Sequence, residues 1–302
     1  MRIGAFVENS SGGGDVDRYV TSVKKMASAG FASIWSPHVF GLDALTALAI
    51  AGREVPAVEL GTAVVPIFGR HPMALAQQAL TTDVAAGPGR LTLGIGLSHQ
   101  VVVEGMWGYS FDRPARRMDE YLDALLPLLR ERKVNVERET VKAVGEVRIT
   151  AAASIPVVIA ALGTRMLSIA GSRAEGTITW MTGPQTVGDH IVPTISKAAA
   201  DAGRAAPRVV VSLPVCVTDD AAAAREQAGT LFQVYGALPS YRAMLDREGA
   251  SGPADVAIVG DADGVRAQVK RVEDSGATEF VFAPFGDADA VDRTVDVMAG
   301  LL

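Results

Sequence analysis

Histidine is the side chain whose ordinary pKa lies nearest neutrality, and this chain has four: His38, His71, His99 and His190. His38 and His99 each follow a short apolar run, Ser33–Ser36 and Arg90–Gly96 respectively. An imidazole at such a place can pass a proton to or from a substrate, so both are candidate catalytic residues. A hydrogen-bonded loop histidine would have the same surroundings in sequence. His71 stands just before Pro72 at a helix start and His190 lies inside a helical stretch, which predicts structural roles for both.

Two loops have the composition of an anion site. Ala160-Ala-Leu-Gly-Thr164 runs from an apolar segment straight into a helical one, and Thr182-Gly183-Pro184 repeats the arrangement after the next segment. Small residues let a ligand approach the backbone, and the free N–H groups of a helix start favour a phosphate. Ordinary strand-to-helix turns share this composition, so it is the adjacent pair that carries the reading. Other chemistries lack their residues. There is no His-Glu-x-x-His and no clustered carboxylate pattern for a metal, and no Gly-Lys-Ser/Thr phosphate loop. Gly96-Leu-Ser98-His99-Gln100 fails the hydrolase pattern at its last position.

The elements that must position these residues alternate. Short apolar runs at Ile3–Val7, Ser33–Ser36, Glu59–Pro66, Arg90–Gly96, Ile155–Ala160, Gly176–Trp180, Arg208–Thr218 and Glu279–Ala283 read as strands. Segments of helical period separate most of them. Pro114–Arg130 is the strongest of these, and Val134–Thr150 reads as a hairpin. Strict alternation implies parallel strands, in either a closed eight-stranded barrel or an open doubly wound sheet. The dinucleotide fingerprint that an open sheet would carry is missing. Ser10-Ser-Gly-Gly-Gly-Asp15 follows the first strand, and Gly94-Ile-Gly96 lacks the third glycine. The barrel is therefore predicted, as one domain over 1–302 with insertions at 97–155 and 236–262, after the fourth and seventh strands. In a barrel the chemistry sits at the C-terminal strand ends, where both histidines and both loops fall.

Composition narrows the partners. The 302 residues include 49% hydrophobic ones, which excludes a disordered chain, and no apolar run is long enough to cross a bilayer. The formal charge of −6 without a basic tract argues against nucleic acid. One cysteine, Cys216, permits neither an intrachain disulfide nor a cysteine-built metal cluster. The reading is a cytoplasmic protein with a small-molecule substrate, no metal, no membrane and no nucleic acid. Residues Val101–Arg113 and Leu238–Gly260 are expected over the mouth, where Met106, Trp107, Tyr109, Phe232, Tyr235 and Tyr241 could line an apolar pocket or pack a lid or an interface.

A set of longer runs in order then resembles a known family. The runs are Ser33-Ile-Trp-Ser-Pro-His38, Leu60-Gly-Thr-Ala-Val-Val-Pro66, Arg70-His-Pro-Met-Ala-Leu-Ala-Gln-Gln78, Gly89-Arg-Leu-Thr-Leu-Gly-Ile-Gly96, Phe111-Asp-Arg-Pro-Ala-Arg-Arg-Met-Asp-Glu-Tyr121, Pro156-Val-Val-Ile-Ala-Ala-Leu-Gly163 and Ala174-Glu-Gly-Thr-Ile-Thr-Trp180. Together they resemble the bacterial luciferase-like monooxygenase superfamily, and most of all its branch dependent on the deazaflavin coenzyme F420. The resemblance implies a luciferase-like (β/α)8 TIM barrel, a homodimer, and a cofactor at the C-terminal mouth. It places a non-proline cis peptide at Ala63-Val64 and the phosphate loop at Ala161, Leu162, Gly163 and Thr164. Thr182 and Gly183 lie beside that loop, and Phe6 ends the first strand on the same face. Many deazaflavin members put an acid directly before the histidine, where this chain has Pro37. Sugar-phosphate dehydrogenase members have a glutamate where this chain has His99. The implied reaction is hydride transfer between F420 and a small organic substrate. The alternatives are an oxygen-activating monooxygenase using flavin mononucleotide (FMN) and a barrel that binds such a cofactor without turnover.

Overall fold

The computed structural model describes residues 1–9 and 13–302, so the Ser10–Gly12 part of the glycine-rich loop lies outside the described residues. Twelve strands occur among them: β1 Arg2–Phe6, β2 Ser33–Ser36, β3 Glu59–Thr62, β4 Val65–Pro66, β5 Leu91–Gly96, β6 Lys133–Glu137, β7 Lys142–Glu146, β8 Val157–Ala160, β9 Gly176–Trp180, β10 Arg208–Val217, β11 Ile258–Gly260 and β12 Glu279–Pro284. The pairing path β10-β12-β1-β2-β3-β5-β8-β9 returns to β10 through a β9–β10 pairing. This is the closed eight-stranded parallel barrel expected from the alternation. β4 continues β3 along β5, β11 pairs with the last three residues of β10, and β6–β7 form a separate antiparallel hairpin.

The chain divides into two compact units. The first comprises Met1–Val7, Lys25–Trp35 and Ala161–Leu302; the second comprises Glu8–Lys24 and Ser36–Ala160. In the first unit β10 lies between β9 and β12, and nine of its ten residues are buried. A strand covered on both faces needs a near-continuous apolar run, which Val-Val-Val-Ser-Leu-Pro-Val-Cys-Val supplies. Where β2, β10 and β12 begin, the buried Glu279 carboxylate accepts from Arg208 Nη2 at 2.7 Å, from Trp35 Nε1 at 3.1 Å and from the Ser33 hydroxyl.

In the second unit β5 pairs with β3 and β8. The helix Pro114–Glu131 buries Met118, Tyr121, Leu122, Leu125, Leu128 and Leu129 along one face. Each such leucine contributes roughly 1.5–3 kcal/mol by leaving water. Glu120 ties the helix to the hairpin, accepting from Thr140 N and from Thr140 Oγ1, both at 2.7 Å, and from Arg116 Nε at 2.7 Å. The predicted hairpin is real but ends at Glu146, short of Thr150. β11 and the six-residue helix Gln100–Gly105 left no sequence signal that was read; both are too short to show a period.

Candidate active site

In the second unit the break between β3 and β4 is where the backbone departs from regular pairing. Ala63-Val64 is a cis peptide, at the position the family resemblance implied. The Thr62 hydroxyl donates to Gly94 O and accepts from Gly94 N, both at 2.8 Å, so one side chain replaces two ladder bonds. Gly94 and Gly96 are glycine because Thr62–Val64 lies so close. A Cβ on Gly94 would sit 1.9 Å from Thr62 O, and one on Gly96 would sit 2.7 Å from Val64 Cγ2. These glycines, weak as a dinucleotide motif, serve close backbone approach instead.

His38 follows β2 and faces a cleft of about 390 Å³ lined also by Pro66, Phe68, Arg70, Trp107 and Tyr109. Its Nδ1 accepts from Ala44 N at 3.2 Å, and its Nε2 lies 3.1 Å from Arg70 Nη2. A guanidinium only donates, and a neutral imidazole offers one in-plane lone pair, so only one of these two contacts is a hydrogen bond at a time. Burial lowers the His38 pKa, the Arg70 charge lowers it further, and Asp43 pulls it back in part. The ring is neutral at pH 7.

An acid stands near the ring from farther along the chain. Asp43 Oδ2 lies 3.7 Å from His38 Nδ1 and accepts from Arg70 Nη2 at 2.8 Å. Asp43 Oδ1 caps the helix Ala44–Glu54 through Thr46 N at 2.9 Å, and accepts from Gln78 Nε2 at 2.7 Å. Arg70 Nη1 donates to Gln78 Oε1 at 2.5 Å. Burial works to raise the Asp43 pKa, but the Thr46 and Arg70 donors outweigh it and hold the carboxyl below its ordinary value. Asp43, Arg70 and Gln78 are site residues that the sequence reading did not single out. Only Asp43 left a signal, an aspartate just before a helical run.

His99 is half-buried and begins the helix Gln100–Gly105, after Ser98 in the left-handed region at φ 60°. Burial lowers its pKa as well. Trp107 and Tyr109, read as possible pocket residues, do line the His38 cleft, whereas Met106 is largely exposed and is not part of its wall. His71 caps its helix by accepting from Met73 N at 3.3 Å, in the structural role expected of it.

In the first unit Gly163 begins the helix Thr164–Arg173 with no capping side chain. Gly163 and Thr164 are exposed, and a Cβ on Gly163 would meet nothing within 4 Å. An open helix start with room in front of it fits a phosphate. Behind it, Thr177 Oγ1 donates to Ala161 O at 3.3 Å, and His190 Nε2 donates to Leu162 O at 2.8 Å from the π-helical turn Val187–Ile191. His190 is structural, as expected, and what it holds is this loop.

The second small-residue loop differs. Thr182 and Gly183 are buried, and the N–H groups of Gln185 and Thr186 are already taken by the Glu248 carboxylate at 3.1 and 2.7 Å. The anion at that helix start is the chain's own. Phe6 stacks on Trp180 with ring centroids 5.8 Å apart, and Phe232 and Tyr235 meet Trp180 edge-on. Tyr241 packs on Tyr235, 5.0 Å away. Among the described residues no group of three His, Cys, Asp or Glu could hold a metal, and no helix is long and apolar enough to cross a membrane.

Residues 1–279 match the luciferase-like monooxygenase family. A relative from Mycobacterium tuberculosis, named as a candidate coenzyme F420-dependent oxidoreductase, is 29% identical and covers 87% of this chain and 89% of its own. Among solved structures, the coenzyme F420-dependent tetrahydromethanopterin reductase of Methanopyrus kandleri matches with a TM-score of 0.83 at 20% identity, over 99% of this chain and 97% of that one. An F420-dependent secondary alcohol dehydrogenase bound to an F420–acetone adduct matches with a TM-score of 0.81 at 17% identity, over 100% and 98%. At these identities the two structures speak for the fold.

Proposed function

Because the chain belongs to the luciferase-like monooxygenase family, we propose that it is a coenzyme F420-dependent oxidoreductase acting on a small organic substrate. The observation that carries this reading is the likeness, over nearly the whole chain, to an oxidoreductase named for F420. The open helix start at Gly163 and the cis peptide at Ala63-Val64 fit it. When bound, the deazaflavin supplies a ring carbon that gives or takes a hydride.

The protein supplies position and proton handling. Ala161, Leu162, Gly163 and Thr164 hold the cofactor phosphate with backbone N–H groups, and His190 fixes the loop through Leu162 O. Ala63 and Val64 would support the ring system, whereas Thr182 and Gly183, buried beside the Glu248 carboxylate, would not reach it. His38 and His99, both with pKa values lowered by burial and neutral at pH 7, are the proton acceptors for a substrate hydroxyl, and the Arg70 charge lowers that of His38 further. The whole chain acts as one barrel domain with insertions at 97–155 and 236–262. It works as a cytoplasmic homodimer, in keeping with its single cysteine and with the exposed Phe40, Val101 and Met106 that a second subunit would cover.

Titration of the purified protein with F420 and, separately, with FMN tests the cofactor. Saturable F420 binding followed by its absorbance is expected, with FMN weaker. Tight FMN binding with none of F420 would replace this reading by the flavin monooxygenase one. Binding without turnover over a panel of alcohols and enones would leave a non-catalytic barrel.

A further inference from the structure

The cleft beside His38 is walled by aromatic rings yet bordered by more positive than negative charge. Among its wall residues Val39 is 62% exposed and Tyr109 45% exposed. Apolar side chains left open in a cleft favour an apolar ligand body. Phe68 forms part of the same wall and stacks on Phe111, with centroids 5.5 Å apart and planes 25° from parallel. Above the Phe68 ring sits the Arg117 guanidinium, its Cζ 4.7 Å from the ring centre.

Arg117 differs from the other arginines at the head of its helix. Arg113 and Arg116 both pair with Glu139, and Arg116 also with Glu120. Arg117 has no acidic partner among the described residues, and it is half-buried. Arg70, in the cleft wall, is matched by Asp43. Two guanidiniums against one carboxylate leave one positive charge. Tyr121 adds a buried hydroxyl without a hydrogen-bond partner among the described residues, within electrostatic reach of both arginines.

We propose that this cleft selects a substrate with one carboxylate on a planar, apolar body, the carboxylate drawn to Arg70 in the wall and to the Arg117 charge beside the buried Phe68, and the body lying against Trp107 and Tyr109. The proposal rests on the oxidoreductase reading only in calling the ligand a substrate. A guanidinium stacked on a ring keeps its in-plane N–H fork free, and that fork matches a carboxylate. A phosphate would bring more negative charge than the one unmatched cation balances. Val39 and Tyr109, open on the wall, suit the substrate's apolar part. The polar glutamate tail of F420 is the other source of carboxylates.

The test uses 2-naphthoate and its neutral isostere 2-naphthamide, titrated calorimetrically into the full chain as wild type, Arg117→Gln and Arg117→Lys. Wild type should bind the naphthoate about tenfold tighter, a gap that narrows as salt screens the charge. Arg117→Gln should bring the two probes within about twofold, and Arg117→Lys should keep part of the preference. Equal binding of both probes by wild type, no binding of naphthoate, or a preference intact in Arg117→Gln would each overturn the proposal. A second arm compares F420 with its tail-less chromophore in wild type and Arg117→Gln. The expected result is no change for either. A loss confined to intact F420 assigns the arginine to the tail and also overturns the proposal. If neither F420 nor FMN binds while the naphthoate preference stands, the oxidoreductase reading fails and the carboxylate site survives.

Discussion

Two arginine–carboxylate clusters in this molecule are built from the same chemistry and left in different states. Around Glu279, at the beginnings of strands, the carboxylate is 1% exposed and receives Arg208, Trp35 and Ser33 together. Around Asp43, beyond the end of β2, the carboxylate is 31% exposed and receives Arg70, Gln78 and Thr46, while His38 beside it faces a donor at each nitrogen and can serve one. The first cluster is completed by folding. The second is left with a choice, which an arriving ligand can settle. A buried ion pair fixes architecture when every lone pair is used, and becomes chemistry when one group is held short of satisfaction.

The comparison breaks most directly at Glu279. Glu279→Ala removes the buried carboxylate that Arg208, Trp35 and Ser33 share, and a stability loss of about 3–5 kcal/mol is expected by urea denaturation. A loss below about 1 kcal/mol would mean that the closed cluster is not structural. Asp43→Ala should cost less, about 1–2 kcal/mol, mainly the lost cap of Ala44–Glu54. It should also slow single-turnover hydride transfer by at least about tenfold, because Arg70 and His38 lose their shared anchor. An unchanged hydride-transfer rate would make the Asp43 cluster as purely structural as the Glu279 one.

The pH dependence sharpens the contrast. His38 and His99 have pKa values lowered by burial, and His38 by Arg70 as well. As pH falls through about 6.5 the unfolded chain takes up protons at these groups while the folded chain does not. Their contribution is therefore fully present above that value and is lost as pH falls toward the lowered folded values. The urea midpoint should drop below about pH 6.5, and His38→Gln with His99→Gln should flatten that limb. The smallest effect expected is at the cofactor loop. His190→Ala removes one hydrogen bond to Leu162 O and should weaken F420 binding about fivefold.

How much of this was legible in the sequence depends on the range of the interaction. β2 and β9 fall on the residues predicted for them, and six other strands fall within a few residues, because period and turn residues are local. The break after Thr62 was read as one continuous strand, since nothing in Gly-Thr-Ala-Val-Val-Pro marks a cis bond without the family resemblance. His38 was visible from its place after a strand, but its burial and the Arg70 charge that lowers its pKa further, 32 residues away, were not. Glu248 reaches the helix start at Gln185 across 63 residues, so the loop at Thr182-Gly183 looked open when its N–H groups were already taken. Arg117 gave no sign at all; three arginines heading a helix look alike until their partners are known.

Thr62 has a consequence for motion. Its hydroxyl alone joins β3 to β5 at Gly94, accepting the amide and donating to the carbonyl. Backbone pairing flanks it at Leu60–Gly61 and at Val65–Pro66, so the hydroxyl is the latch of the gap between two stretches of ladder. Thr62→Val keeps the shape and removes the latch. Amide hydrogen exchange at Gly94 should then quicken ahead of its strand neighbours, making this residue a reporter of how often that part of the barrel breathes.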